Sequence, residues 1–159
     1  MDNLYLSLSF KFFFNKSMTD KKFFFERVTA TPNQKLLLFN FLRERKYKIS
    51  HSFLPDENDH NKFVEAHPYR EWYIVKENNK GIGSFYIQFN NSIGINLKKQ
   101  TQNCIQEIIN FIKEKYIPEP ESLSQIPPYF YINIPSENLE LQAILDKMNI
   151  NSLQISYKI

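Results

Sequence analysis

The residues of this 159-residue chain best suited to chemistry lie between Asn91 and Ile112, in the stretch NSIGINLKKQTQNCIQEIINFI. Ile93, Ile95 and Leu97 alternate with Ser92, Gly94 and Asn96, the period of a half-buried strand, whereas Ile105, Ile108, Ile109 and Ile112 recur at helical spacing. A helix that starts between these patterns carries unpaired backbone N–H groups and a partial positive charge, with Lys98 and Lys99 beside it. Such a junction suits a phosphate or pyrophosphate group; the alternative is a solvated loop. Cys104 stands at the helix start, a position that lowers thiol pKa. It has no Cys-His motif around it, and helix packing is its expected role. His60 and His67 are about 10 Å apart along a helix, too far to share a metal ion, and no metal is expected.

Positioning these residues requires a core, and 42% hydrophobic with 16% aromatic residues is enough for one domain. Gly is scarce at three residues, so turns needing positive φ must use Asn. A net charge of +3 with acids and bases interspersed demands neither a nucleic-acid nor a membrane surface. The single cysteine excludes a disulfide framework and fits a cytoplasmic setting.

Residues 1–22 form an N-terminal extension ahead of one domain, 23–159. Leu4 to Phe14 is apolar but shorter than the roughly 20 residues that span a bilayer, and it lacks signal-peptide features. Its alternation fits an added edge strand; the other reading starts the protein at Met18, with a poorly ordered leader. FFFERVT, residues 23–29, reads as a strand. Thr31, Pro32 and Gln34 then form a capping box ahead of a helix running to about Arg45. Pro55 opens a second helix, closed by Pro68. Runs at 71–77, 81–89 and 92–97, joined by Asn78-Asn79-Lys80 and Asn90-Asn91, read as an antiparallel meander. A helix follows from about Gln102 to Tyr116, then a proline-bearing linker, a strand at 129–134, a helix capped by Ser136, and a final strand from Leu153 to Ile159.

This order resembles the GNAT superfamily of acyl-CoA-dependent N-acyltransferases over about residues 23–158. HPYREWYIV at 67–75 with GIGSFY at 81–86 looks like the second and third GNAT strands, especially in the branch that acetylates amino sugars for surface polysaccharides. SIGINL at 92–97 resembles the fourth strand, and Pro135-Ser136-Glu137-Asn138 ahead of Asp146-Lys147-Met148 looks like the segment after the fifth. The resemblance implies an α/β (α+β) fold with a mixed, mostly antiparallel sheet flanked by about four helices. It also implies acetyl-CoA, or another acyl-CoA, bound between splayed fourth and fifth strands. Ile95, Asn96 and Leu97 would offer backbone to its pantetheine, the amides of Gln100, Gln102, Asn103, Cys104 and Ile105 would cradle its pyrophosphate, and Asn138 would lie near its thiol end.

The match is degenerate in its phosphate loop and in its proton carriers. The family's phosphate loop carries glycines where Asn103 and Ile105 stand here, and its usual general-acid Tyr falls at Leu145. Where a carboxylate base is often found on the fourth strand, this chain has Asn91 and Ser92. Direct acyl transfer needs a neutral amine, positioning and oxyanion donors, and the remaining proton carriers near such a site are His51, Glu57, Tyr86 and Tyr157. His51 is the first choice because imidazole titrates near pH 6.5. Two functions stand side by side: an N-acetyltransferase acting on a small amine, such as a sugar-nucleotide amine, and a degenerate protein that binds acyl-CoA or a protein partner without turnover. No nucleic-acid or membrane partner is expected, and a homodimer is compatible with either.

Overall fold

A computed structural model describes residues 22–47, 54–123 and 125–157. The N-terminal alternation up to Phe14, Met18 and His51 all lie outside those residues. The described chain runs β1 (Phe23–Arg27), α1 (Pro32–Arg43), α2 (Glu57–Glu65), β2 (Glu71–Glu77), β3 (Lys80–Ile87), β4 (Ser92–Leu97), α3 (Gln102–Lys115), β5 (Tyr131–Ile132) and α4 (Leu139–Lys147).

Local chemistry sets most of these boundaries. Thr31 caps α1 by accepting from Gln34 N, the Gln34 side chain reaches back to the Thr31 N–H, and Pro32 occupies the first turn. Gln34 is itself buried; its Oε1 accepts from Thr29 N at 2.8 Å and its Nε2 donates to Arg27 O at 3.0 Å, so one side chain ties α1 to the end of β1. Asp56 caps α2, accepting from Asp59 N, so Pro55, expected to open the helix, lies one residue before the cap. Asn78 and Asn79, at φ 49° and 63°, make the two-residue connection between β2 and β3. Asn91, at φ 67°, ends the turn into β4.

The sheet order is β1-β2-β3-β4-β5, antiparallel throughout except for the parallel β4–β5 pair. Period-2 alternation divides its two faces. Tyr73, Val75, Phe85, Ile87, Ile93 and Leu97 pack with Ile105, Ile108, Ile109 and Ile112 of α3 and Leu141 and Leu145 of α4. Trp72 and Ile74 face the other way, against Leu38 and Phe41 of α1 and Val64 of α2. Each fully buried Ile or Phe contributes about 1.5–3 kcal/mol relative to exposure, so the α3 side is the larger of the two cores. Among the described residues no helix is long and apolar enough to cross a membrane.

Three expectations are corrected. The strand anticipated over 129–134 shrinks to Tyr131–Ile132. Pro127 and Pro128 ahead of it and Pro135 behind it supply no N–H to a ladder, and Asn133 N bonding Ile93 O at 3.0 Å is its last link to β4. Asn138, not Ser136, caps α4: its Oδ1 accepts from Leu141 N at 3.1 Å, while Pro135–Asn138 closes a tight turn. The alternation from Leu153 onward forms no strand through residue 157, and Leu153, Ile155 and Tyr157 are strongly exposed. An apolar alternation needs a neighbouring strand to pair with, and the two-residue β5 offers almost no edge.

Candidate functional site

The site follows from where β4 loses its neighbour. β5 pairs with β4 only at Ser92↔Tyr131 and Ile93↔Ile132, and beyond Ile93 the two diverge. The β3 side fixes which backbone groups are left over. Gln88 N donates to Ser92 O and Lys98 N to Ile82 O, so Ser92, Gly94, Asn96 and Lys98 point their backbone groups toward β3. Ile95 and Leu97 therefore turn N–H and C=O into the gap on the β5 side. Asn96, expected to share that role, spends its backbone on the β3 ladder and instead directs its side chain to the α1 face.

Below the gap stands the start of α3. Thr101 caps it, its Oγ1 accepting from Cys104 N at 3.3 Å and its carbonyl accepting from Ile105 N at 3.0 Å. Only the amides of Gln102 and Asn103 are left without helical partners, at the positive end of the dipole. The amides of Cys104 and Ile105, expected to join an anion cradle, are already bonded to Thr101. Their side chains point into the core, Cys104 at 1% and Ile105 at 0% exposure, so the branched Ile105 does not crowd the helix mouth. Burial pushes the Cys104 thiol up to about 11, the opposite of a nucleophile's setting. Gln100 is buried beside this loop, and its Oε1 has no hydrogen-bond partner among the described residues.

Tyr86 meets β4 from the α1 face. It pairs across the ladder with Gly94, the first residue past the last β5 contact, and its phenol lies directly over that glycine. A Cβ added at Gly94 would come within 2.1 Å of Tyr86 Cζ and 2.4 Å of its Oη. The ring stacks on Tyr69 with centroids 4.0 Å apart and planes at 7°, and Tyr69 packs edge-on against Trp72. Burial raises the Tyr86 hydroxyl above its ordinary 10.0, with the Arg45 charge opposing, so it keeps its proton at neutral pH.

The other candidates are placed elsewhere. Glu57 sits in the exposed first turn of α2. Tyr157 lies in the irregular segment after α4, 84% exposed. Asn138 is 2% exposed and committed to capping α4. Leu145 is buried in the α4 core stripe. His60 and His67 are supporting residues: His60 Nε2 lies 3.2 Å from Lys35 O and its ring packs on Phe39, while His67 packs on Tyr69 and Trp72. Among the described residues no group of three His, Cys, Asp or Glu is arranged to hold a metal.

Asn91 is the residue whose importance the sequence hides. It is fully buried; its Nδ2 donates to Glu119 O at 3.0 Å and Pro127 O at 2.8 Å, and its Oδ1 accepts from Glu119 N at 2.7 Å. It thereby pins the proline-bearing linker to the paired end of β4, fixing the closed end of the splay.

No protein-family model and no curated protein matches this chain. Solved structures do. An integron cassette protein from the mobile metagenome of V. cholerae aligns at a TM-score of 0.55 and 11% identity, over 88% of this chain and 93% of that one. A possible acetyltransferase from Clostridium difficile 630 aligns at 0.50 and 12%, over 87% and 99%. RimL, a ribosomal-protein α-N-acetyltransferase solved with coenzyme A, aligns at 0.52 and 11%, over 80% and 79%. The fold is that of the GNAT acetyltransferases.

Proposed function

We propose that this GNAT-fold chain is an acyl-CoA-dependent N-acetyltransferase that transfers the acyl group directly to a small amine. The observation that carries the reading is the splay itself: Ile95 and Leu97 present backbone that has no strand partner among the described residues, beside a helix start with two open amides. Acyl-CoA supplies an activated thioester when bound there. Ile95 and Leu97 would hold its amide-bearing arm, and Gln102 N and Asn103 N its pyrophosphate, with Lys98 and Lys99 adjoining. The buried Gln100 Oε1 gives the same loop an acceptor to spare.

Tyr86 takes the role of general acid that the family's α4 tyrosine would fill. Its hydroxyl stands over Gly94 where the strands part, and burial keeps its proton on at neutral pH, ready for a departing sulfur. No carboxylate stands on β4, so the amine must arrive neutral or lose its proton through water. The sugar-nucleotide amine suggested by HPYREWYIV at 67–75 remains the proposed acceptor.

The test is acetyl transfer from acetyl-CoA to a panel of amines by the wild-type protein and Tyr86→Phe. Turnover that falls about 10²- to 10⁴-fold in the variant, with acetyl-CoA binding unchanged, supports the assignment. Undiminished turnover in Tyr86→Phe removes Tyr86 from the mechanism. Acetyl-CoA binding without turnover on any amine would instead favour the second reading, a degenerate acyl-CoA binder. The observation on its side is that neither Leu145 nor Asn91 can carry a proton.

A further inference from the structure

A shallow, solvent-open cleft lies on the α1 face of β4, between the C-terminal end of α1 and Asn96. Arg45, Glu44, Lys98, Gly83 and Asn96 are among its walls. Two of its three charges cancel, because Lys98 Nζ binds the Glu44 carboxylate at 2.7 Å. Among the described residues, Arg45 is the cation left over in this cleft. Its Nε is buried and has no hydrogen-bond partner among the described residues. A buried N–H without a partner is unfavourable, and an oxygen from a bound molecule would relieve it. Asn96 in its wall lies two residues along β4 from Gly94 and on the same face, so the cleft adjoins the phenol that lies over Gly94.

We propose that the acceptor amine carries an anionic group, a carboxylate or a phosphate, and that Arg45 binds it in this cleft. The inference rests on the acetyl-transfer reading above and names the class of its acceptor. A guanidinium presents a planar fork of donors that matches two oxygens of either anion, which an ammonium does not. The cleft lies on the opposite face of β4 from α3, so the anion is held on the side of Tyr86 and away from the helix start assigned to the pyrophosphate. Polycationic amines meet Arg45 and find the one acidic wall residue already bound to Lys98.

The test compares kcat/KM for two matched pairs, L-phenylalanine against L-phenylalaninamide and O-phosphoethanolamine against ethanolamine, with spermidine as a cationic comparator. Wild type, Arg45→Gln and Arg45→Lys are assayed after thermal melts establish that each is folded. At least one anionic member should exceed its neutral partner, and Arg45→Gln should lower that value about 10- to 100-fold while leaving the neutral amine within about 2-fold. Arg45→Lys should fall between, and the responding pair tells carboxylate from phosphate. Preference for spermidine, or an equal loss on charged and neutral amines in Arg45→Gln, overturns the proposal, the latter because it marks a purely structural role. Calorimetric titration with L-phenylalanine and O-phosphoethanolamine separates the two layers. Saturable binding that Arg45→Gln abolishes supports the anion site even where no amine is acetylated, an outcome that sinks only the transfer reading; no binding to wild type sinks the anion site.

Discussion

Replacing Gly94 by alanine probes the contact that sets the Tyr86 hydroxyl over β4. The backbone there is not in the left-handed region, so the substitution tests space alone. The new methyl would lie 2.1 Å from Cζ, 2.4 Å from Oη and 2.5 Å from Cε1 of Tyr86, far inside the roughly 3.5 Å at which carbon atoms rest together. Tyr86 can yield only by leaving Tyr69, on which it stacks at 4.0 Å. Overpacking costs about 1–3 kcal/mol and loss of the aromatic pair about 0.5–1.5 kcal/mol, so Gly94→Ala should destabilise by about 2–4 kcal/mol. For a domain of this size each kcal/mol moves Tm by about 2–4 °C, giving a fall of roughly 4–16 °C. Denaturant unfolding of the single variants and the double variant with Tyr86→Ala measures the coupling. Once the ring is gone, alanine at 94 should cost nothing or stabilise slightly, by up to about 1 kcal/mol. A Gly94→Ala protein within 0.5 kcal/mol of wild type, or strictly additive changes in the double variant, would refute the placement of Tyr86.

Asn91→Ala removes three buried hydrogen bonds and leaves an alanine at φ 67°, so a loss of about 2–4 kcal/mol is expected in denaturant unfolding, with the proline-bearing linker becoming protease-sensitive. Thr31→Ala should cost about 1 kcal/mol through the capping box, read as a lowered unfolding midpoint with an unchanged slope. Burial depresses the pKa of His60 below its ordinary 6.5, so between the two values the unfolded chain binds the extra proton and stability rises with pH. Stability should therefore decline as pH falls from about 7 through 6.5 and below, and His60→Asn should flatten that slope in pH-dependent melts. In catalysis a general acid whose pKa is raised keeps its proton past the ordinary value, so the alkaline limb assigned to Tyr86 should lie above pH 10.0 and vanish in Tyr86→Phe.

What could be read from the chain was local. Thr31-Pro32-Asn33-Gln34 declares a helix start because the groups that satisfy its N–H donors are within three residues. Asn78-Asn79 declares a hairpin because so few residue types accept positive φ. The cap of α4 was missed since Ser136 and Asn138 are both good caps, and only the turn made by Pro135 decides between them. The C-terminal alternation was misread because period 2 reports a pattern, whereas a strand also needs a partner. Asn91 was read only as a turn residue at a site lacking a base, because its partners lie 28 and 36 positions away in sequence. In sequence Arg45 marks only the approximate end of α1, and its place in the cleft beside β4 depends on how α1 packs across the sheet. Tyr86 was one of four candidate proton carriers until the β3–β4 register set it against Gly94.

The central claim is that the gap between β4 and β5 holds acyl-CoA, and calorimetric titration of the purified protein with acetyl-CoA tests it most directly. Saturable heat at one ligand per chain, accompanied by a rise in Tm and weakened by Thr101→Pro at the cap of α3, is the expected result. No heat and no thermal shift at millimolar acetyl-CoA would contradict it.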